Sequence, residues 1–196
     1  VAILKIHPGA VVAIAQDKEI VIGYSNNGSA GALQADEVTF TAVNSDERWD
    51  KIYFHDFNRD DLSYMDNCIF EYSNGGVYAD NSSPTITNSI FRDNITGIGV
   101  NLNASPIIMG NTFTNNVTPV NAYGRGIDGN ITDNTGDNTT TFNSSVHSHC
   151  SGITTSGGFR NVAVIGSSQL SYSHIRSSRV ISTSDTHNQR ITCSKS

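Results

Sequence analysis

The sequence predicts an all-β solenoid, and three observations carry that prediction. Phe70, Phe91 and Phe113 recur 21 and 22 residues apart, and each is followed seven residues later by Val77, Ile98 or Val120. The block Ser83-Pro84-Thr85-Ile86-Thr87-Asn88-Ser89-Ile90-Phe91-Arg92-Asp93-Asn94 returns as Ser105-Pro106-Ile107-Ile108-Met109-Gly110-Asn111-Thr112-Phe113-Thr114-Asn115-Asn116. Neither copy has helical periodicity, and a period near twenty-two is too short for a helical-pair repeat but fits one turn of stacked strands.

Each coil can be justified in turn. Glu37-Val38-Thr39-Phe40 with Asn44 is an early copy, and Asp66-Asn67-Cys68-Ile69-Phe70 with Asn74 and Gly75 repeats its frame. The two Ser-Pro blocks follow, then a weaker copy at Gly129-Asn130-Ile131 with Asn134. Strand alternation sends Ile52 and Phe54, Val77 and Ala79, Ile98 and Val100, and Val120 and Ala122 inward, with polar neighbours outward. Such columns stack at about 4.8 Å per coil. Asn94, Asn116 and Asn134 are expected at equivalent corners as an Asn ladder, because Asn accepts left-handed backbone and its amide bonds to the next coil. Cys68 shares its frame position with Ser89 and Asn111, which predicts a small, buried, free thiol.

The clean repeat ends near Phe142, dividing the chain into a solenoid over 1–142 and a Ser-rich tail over 143–196. Four short strands are expected in the tail, at Phe159–Ile165, Gln169–Ile175, Arg179–Ser182 and Arg190–Cys193. The tail has three possible roles: a cap, a continuation of the solenoid, or a segment crossing to a neighbouring subunit. Charge is divided the same way: 17 acidic against 7 basic residues in 1–142, and 1 against 5 in the tail, which also holds four of the six His. An acidic body and a basic tail suit docking between subunits or contact with an anionic polymer. Five scattered cations are a poor nucleic-acid footprint.

The stretch Lys5-Ile6-His7-Pro8-Gly9-Ala10-Val11-Val12, the turn Trp49-Asp50-Lys51-Ile52-Tyr53-Phe54, the segment Asp66-Asn67-Cys68-Ile69-Phe70-Glu71-Tyr72 and the Ser-Pro-x-Ile copies carry a resemblance. Over roughly residues 1–142 the chain resembles the right-handed parallel β-helix repeat proteins of bacterial and archaeal cell surfaces, relatives of the pectin-lyase-like superfamily. The resemblance implies a right-handed parallel β-helix at the cell surface or outside the cell. It does not select a reaction, since that superfamily contains lyases, hydrolases, epimerases, adhesins and structural proteins.

Composition agrees with an exported solenoid. The 196 residues include 17 Gly, 37% hydrophobic and only 15% charged residues, with a net charge of -6. No stretch reaches the length of a membrane span, and the chain opens in a strand without a basic, apolar leader, as expected of a secreted protein whose signal has been removed. Eight Asn-x-Ser/Thr sequons occur. Asn27, Asn81, Asn103, Asn130, Asn138 and Asn143 are the glycosylation candidates, whereas Asn94 and Asn116 cannot be both buried ladder residues and glycan sites. Cys150 and Cys193 bracket the tail, as a disulfide within it or between subunits would.

The chemistry-bearing residues form a short list. On the coil phasing, Tyr53, Tyr78, Gly99 and Asn121 make an outward column beside His55, Asp80, Asn101 and Tyr123. Tyr53, His55, Tyr78, Asp80 and Tyr123 form a candidate carbohydrate-binding strip. Cleavage of a glycosidic bond needs two positioned ionisable groups, and only a His55–Asp80 pair is available. If there is an enzyme here it is a polysaccharide lyase or hydrolase, but binding without turnover fits these residues better. Asp56, Asn58 and Asp60 start like a calcium loop, but its sixth and twelfth places are Asp61 and Asn67 instead of Gly and Glu. His147, His149 and Cys150 cluster without a second ligand pair. Calcium is the one cofactor with any support, and none is required.

These residues lead to an extracellular structural or adhesive β-solenoid that self-assembles head-to-tail at the cell surface. The alternative is a carbohydrate-binding or polysaccharide-cleaving β-helix module.

Overall fold

A computed structural model describes residues 1–24, 30–101, 103–123, 131–132, 134–136, 143–145, 161–165 and 179–182. Its strands are short because each coil has to turn three corners within a few tens of residues. The first coil holds β1 (Ala2–Ile6), β2 (Val11–Ile14) and β3 (Ile20–Ile22); the second holds β4 (Gly31–Asp36), β5 (Thr39–Ala42) and β6 (Ile52–Phe54). The third has β7 (Tyr64–Asp66), β8 (Ile69–Glu71) and β9 (Val77–Asp80), and the fourth β10 (Thr85–Thr87), β11 (Ile90–Arg92) and β12 (Thr96–Asn101). In the fifth come β13 (Ile107–Met109), β14 (Thr112–Thr114) and β15 (Thr118–Tyr123), and in the sixth β16 (Ile131–Thr132), β17 (Thr135–Gly136) and β18 (Asn143–Ser145). Two tail strands, β19 (Asn161–Ile165) and β20 (Arg179–Ser182), complete the described set.

From β1 to β18, every third strand joins the same sheet. The sheets run β1-β4-β7-β10-β13-β16, β2-β5-β8-β11-β14-β17 and β3-β6-β9-β12-β15-β18-β19-β20, here called A, B and C. All named pairings are parallel. The chain is therefore a right-handed parallel β-helix, and β18, β19 and β20 carry sheet C into the tail. Of the other expected tail strands, 169–175 and 190–193 lie outside the described residues.

Alternation turns four apolar columns inward. Sheet A contributes Ile6, Ala35, Met65, Ile86 and Ile108 in register. Sheet C contributes Ile20, Ile52, Val77, Ile98 and Val120 beside Ile22, Phe54, Ala79, Val100 and Ala122. In sheet B, Phe40, Phe70, Phe91 and Phe113 are fully buried and stack with centroid separations of 5.1, 4.6 and 5.2 Å. Those separations follow the strand spacing, so each ring contacts the ones above and below, and a stacked pair adds about 0.5–1.5 kcal/mol beyond area burial. The column opens at Val12 and closes at Gly136. Its steps are 28, 30, 21, 22 and 23 residues long, yet the pairing is continuous.

Two amide ladders run beside the phenylalanines. At the corner after sheet B, Asn94 Oδ1 accepts from Ser73 N and Oγ at 3.0 and 2.7 Å, and Asn94 Nδ2 donates to Phe70 O and Asn116 Oδ1 at 3.0 and 2.9 Å. At the corner between sheets A and B, Cys68 N donates to Ser89 Oγ, Ser89 N to Asn111 Oδ1, and Asn111 N to Asn134 Oδ1. Asn134 thus stacks on Asn111 and not on Asn116, which corrects the single ladder expected from sequence. The reason is register: Ile131 pairs with Ile108 and Thr135 with Thr112, so Asn134 sits one corner earlier in its coil. These amides satisfy backbone groups that turn away from the sheets inside the protein, where an unpaired group is costly.

The corners are also columns of left-handed backbone. Gly9, Glu37, Asn67, Asn88 and Gly110 have φ of 79, 54, 51, 50 and 69° between sheets A and B. Tyr72, Asp93 and Asn115 have φ of 58, 57 and 54° after sheet B. Gly and Asn adopt this conformation at low cost, while Glu37 and Tyr72 do so against their side chains.

Candidate functional site

The outer face of sheet C brings several rings and charges together. Tyr53 lies between inward Ile52 and Phe54, so alternation points it out, and it pairs in register with Val21 and Tyr78. Tyr78 pairs with Gly99, and Gly99 with Asn121, the column expected from the sequence. The rings of Tyr53 and Tyr78 meet edge to face at 5.7 Å, and Tyr53 and His55 do so at 5.4 Å. Tyr24 extends the row, 5.4 Å from His55 on its other side.

The Tyr78 ring fits because Gly99 has no side chain. A Cβ on Gly99 would fall 2.3 Å from Tyr78 Cδ2 and 2.5 Å from Cε2, so the ring edge occupies the space where a methyl would stand. The ring is therefore held down along the sheet face.

Charges surround the rings. Tyr53 Oη donates to Asp80 Oδ2 at 2.6 Å. Burial and this carboxylate together hold the Tyr53 phenol well above its ordinary ionisation range. Lys51, two residues before Tyr53 and on the same face, sits 5.5 Å from the Tyr53 ring centroid. Its ammonium contacts Asp50 Oδ2 at 2.6 Å and Glu19 Oε2 at 3.2 Å. Burial alone would lower Lys51, but the bonds to Asp50 and Glu19 outweigh it and raise the group above its ordinary value. Lys51 is thus a fixed cation, not a proton acceptor. Asp50, Lys51, Tyr53, Asn74, Tyr78 and Asn121 border a groove of about 430 Å³. Asp80 Oδ1 and Asn121 Oδ1 are buried without a hydrogen-bond partner among the described residues.

The strip read from sequence is assembled in part. Tyr53, His55, Tyr78 and Asp80 come together, but His55 Nδ1 bonds to Asp56 Oδ1 while Asp80 is taken by Tyr53. The His55–Asp80 acid–base pair is therefore not formed. Tyr123 lies on β15 opposite Ser145, and its side chain is outside the described residues. Lys51, Asp50, Glu19 and Tyr24 complete the site and were not in the expected strip.

The calcium-like loop is spent on coil contacts. Asp60 Oδ1 accepts from Asn58 Nδ2 at 2.7 Å, Ser83 N at 2.7 Å and Ser82 Oγ at 3.1 Å, while Asn58 Oδ1 accepts from Ser63 Oγ at 2.5 Å. A cation there would compete with these donors, and among the described residues no three His, Cys, Asp or Glu converge on one point. Asp56 is bound to His55 instead of to Asn58 or Asp60.

Of the sequons, Asn81 and Asn103 are exposed at neighbouring corners, with Asn103 Nδ2 donating to Asn81 Oδ1 at 3.2 Å. Asn94 and Asn116 are buried in the ladder. Asn27, Asn130 and Asn138, the side chain of Asn143, the cysteines Cys150 and Cys193, and His147 with His149 lie outside the described residues. Cys68 is free and buried; burial pushes its thiol up to about 11, with Asp36 and Asp66 acting in the same direction. No helix among the described residues is long and apolar enough to cross a membrane.

Comparison with known proteins finds no matching family model, no matching curated protein and no matching solved structure.

Proposed function

We propose that this chain is an extracellular adhesive β-solenoid that displays the outer face of sheet C as a carbohydrate-binding surface and does not cleave its ligand. The observation that carries the reading is the in-register pair Tyr53–Tyr78 at the edge of the groove. Tyrosine rings cover the C–H faces of a pyranose, and the surrounding carboxylates and amides accept and donate to its hydroxyls. Binding without turnover follows from the ionisable groups, which are committed to each other: Tyr53 to Asp80, and Lys51 to Asp50 and Glu19. A coiled β-helix with amide-lined corners is also in keeping with kinship to the pectin-lyase-like superfamily. The test is affinity electrophoresis against a panel of soluble polysaccharides, followed by chromatography of the recovered glycan. Retardation that is lost in Tyr53→Ala and Tyr78→Ala, with glycan length unchanged, supports the reading. Shortened or unsaturated products would replace it with an enzyme.

Head-to-tail self-assembly is the second reading, supported by the charge division of the chain: 17 acidic against 7 basic residues in 1–142 and 1 against 5 in 143–196, so that the basic tail of one copy suits the acidic body of the next. Electron microscopy of the chain beside a version ending at Phe142 tests this: filaments that vanish on truncation support tail-mediated stacking, and separate short rods from both overturn it.

A further inference from the structure

We infer that the groove on sheet C selects an uncharged glycan and rejects one bearing carboxylates or sulfates, an inference that rests on the carbohydrate-binding reading above. Three carboxylates, Glu19, Asp50 and Asp80, stand around Tyr53, against the single ammonium of Lys51. That ammonium is already bonded to two of them, at 2.6 and 3.2 Å. The third carboxylate, Asp80, has only a neutral phenol as its described partner, and its other oxygen is buried. Asp50 and Lys51 line the groove, while Glu19 and Asp80 are bonded to its lining residues Lys51 and Tyr53. The four groups together leave an excess of negative charge beside the groove, part of it sheltered from water, where salt screens it poorly.

A uronate or sulfate entering this field meets like charge and finds no uncommitted cation to pair with. Juxtaposed like charges are among the strongest means of excluding a wrong partner. A neutral pyranose meets no such penalty. Its hydroxyls donate to carboxylate oxygens, and its C–H face lies on Tyr53 or Tyr78. The groove wall formed by Asn74 and Asn121 adds amide groups suited to hydroxyls and not to ions.

The inference is tested by isothermal titration of the full chain with cellohexaose, hexa-galacturonate and a chitosan hexamer, at low and at physiological salt. The expected result is that cellohexaose binds with little salt dependence and hexa-galacturonate binds about ten-fold more weakly or not at all, most weakly at low salt. The double variant Glu19→Gln with Asp50→Asn frees Lys51 and removes two negative charges, so it is expected to raise the affinity for hexa-galacturonate relative to that for cellohexaose by about ten-fold. Equal or tighter binding of hexa-galacturonate by the unaltered chain overturns the inference but leaves the carbohydrate-binding reading intact. A chitosan hexamer bound at least as tightly as cellohexaose supports the rejection of anions by negative charge, and one excluded as strongly as hexa-galacturonate overturns it by showing that charge of either sign is refused. Failure of all three to bind overturns the carbohydrate-binding reading, and the selectivity with it.

Discussion

Tyr78 and Gly99 form a ring-over-glycine contact between successive coils, in which the absent Cβ of one residue sets the position of the other. The colliding atoms are in a side chain and not in the backbone, so a methyl at 99 displaces the ring and leaves the strand in place. Gly99→Ala is therefore expected to keep the fold, changing stability by about 1 kcal/mol or less, while weakening glycan binding about ten-fold. Thermal denaturation and titration of the same sample separate the two effects.

The Asn94 amide holds three coils together. Asn94→Ala leaves the Ser73 N–H and Phe70 C=O without their side-chain partner inside the protein. The expected loss is about 3 kcal/mol, read from urea denaturation. Val117→Ala, at an exposed position next to Asn116 of the same ladder, is the control and is expected to stay within about 0.5 kcal/mol.

Phe91 has a ring on each side, at 4.6 and 5.2 Å. Removing it opens a cavity in a column that cannot collapse without breaking strand pairing above or below. Phe91→Ala is expected to cost about 3–5 kcal/mol. Phe91→Leu should recover most of the loss, and the two midpoints in denaturant measure the difference.

Tyr53 predicts a response to alkali. Its phenol is raised from an ordinary 10.0 by burial and by Asp80, so the unfolded chain ionises first as pH rises. The stability contributed by the neutral phenol is complete below that ordinary value and is lost progressively above it. Tyr53→Phe is expected to flatten the loss. Denaturation midpoints of the two proteins across the alkaline range check the sign.

Glu37 is an acidic, exposed residue at φ 54° in a column otherwise made of Gly and Asn. Its side chain opposes that backbone. Glu37→Asn is expected to stabilise the protein by about 1 kcal/mol, seen as a higher thermal midpoint.

The inner half of this fold was legible in the sequence because burial imposes strict alternation. The positions of Phe70, Phe91 and Phe113 revealed the coil length, and Val77, Ile98 and Val120 fell into register as expected. Asn134 was placed at the wrong corner because its coil has no Ser-Pro pair to align it with the two earlier copies. On the outer face the column of Tyr53, Tyr78, Gly99 and Asn121 was read correctly, since it inherits the inner register. Lys51 was within reach of the same alternation, two residues before Tyr53. Glu19 was not: it meets Lys51 across a step of 32 residues between Ile20 and Ile52, with no repeated motif to align the two. The pairing of Asp80 with Tyr53 instead of His55 depends on side-chain direction, which period alone does not encode.

The unequal steps between stacked Val12, Phe40, Phe70, Phe91, Phe113 and Gly136 separate loop length from strand position. A corner can grow by several residues at a closure cost of only a fraction of a kcal/mol, while the strands on either side keep their partners. The 43–51 segment, which delivers Asp50 and Lys51 to the groove, is such an enlarged corner between β5 and β6. This architecture allows recognition to be rewritten one corner at a time, by insertion or deletion, with the hydrophobic spine left untouched.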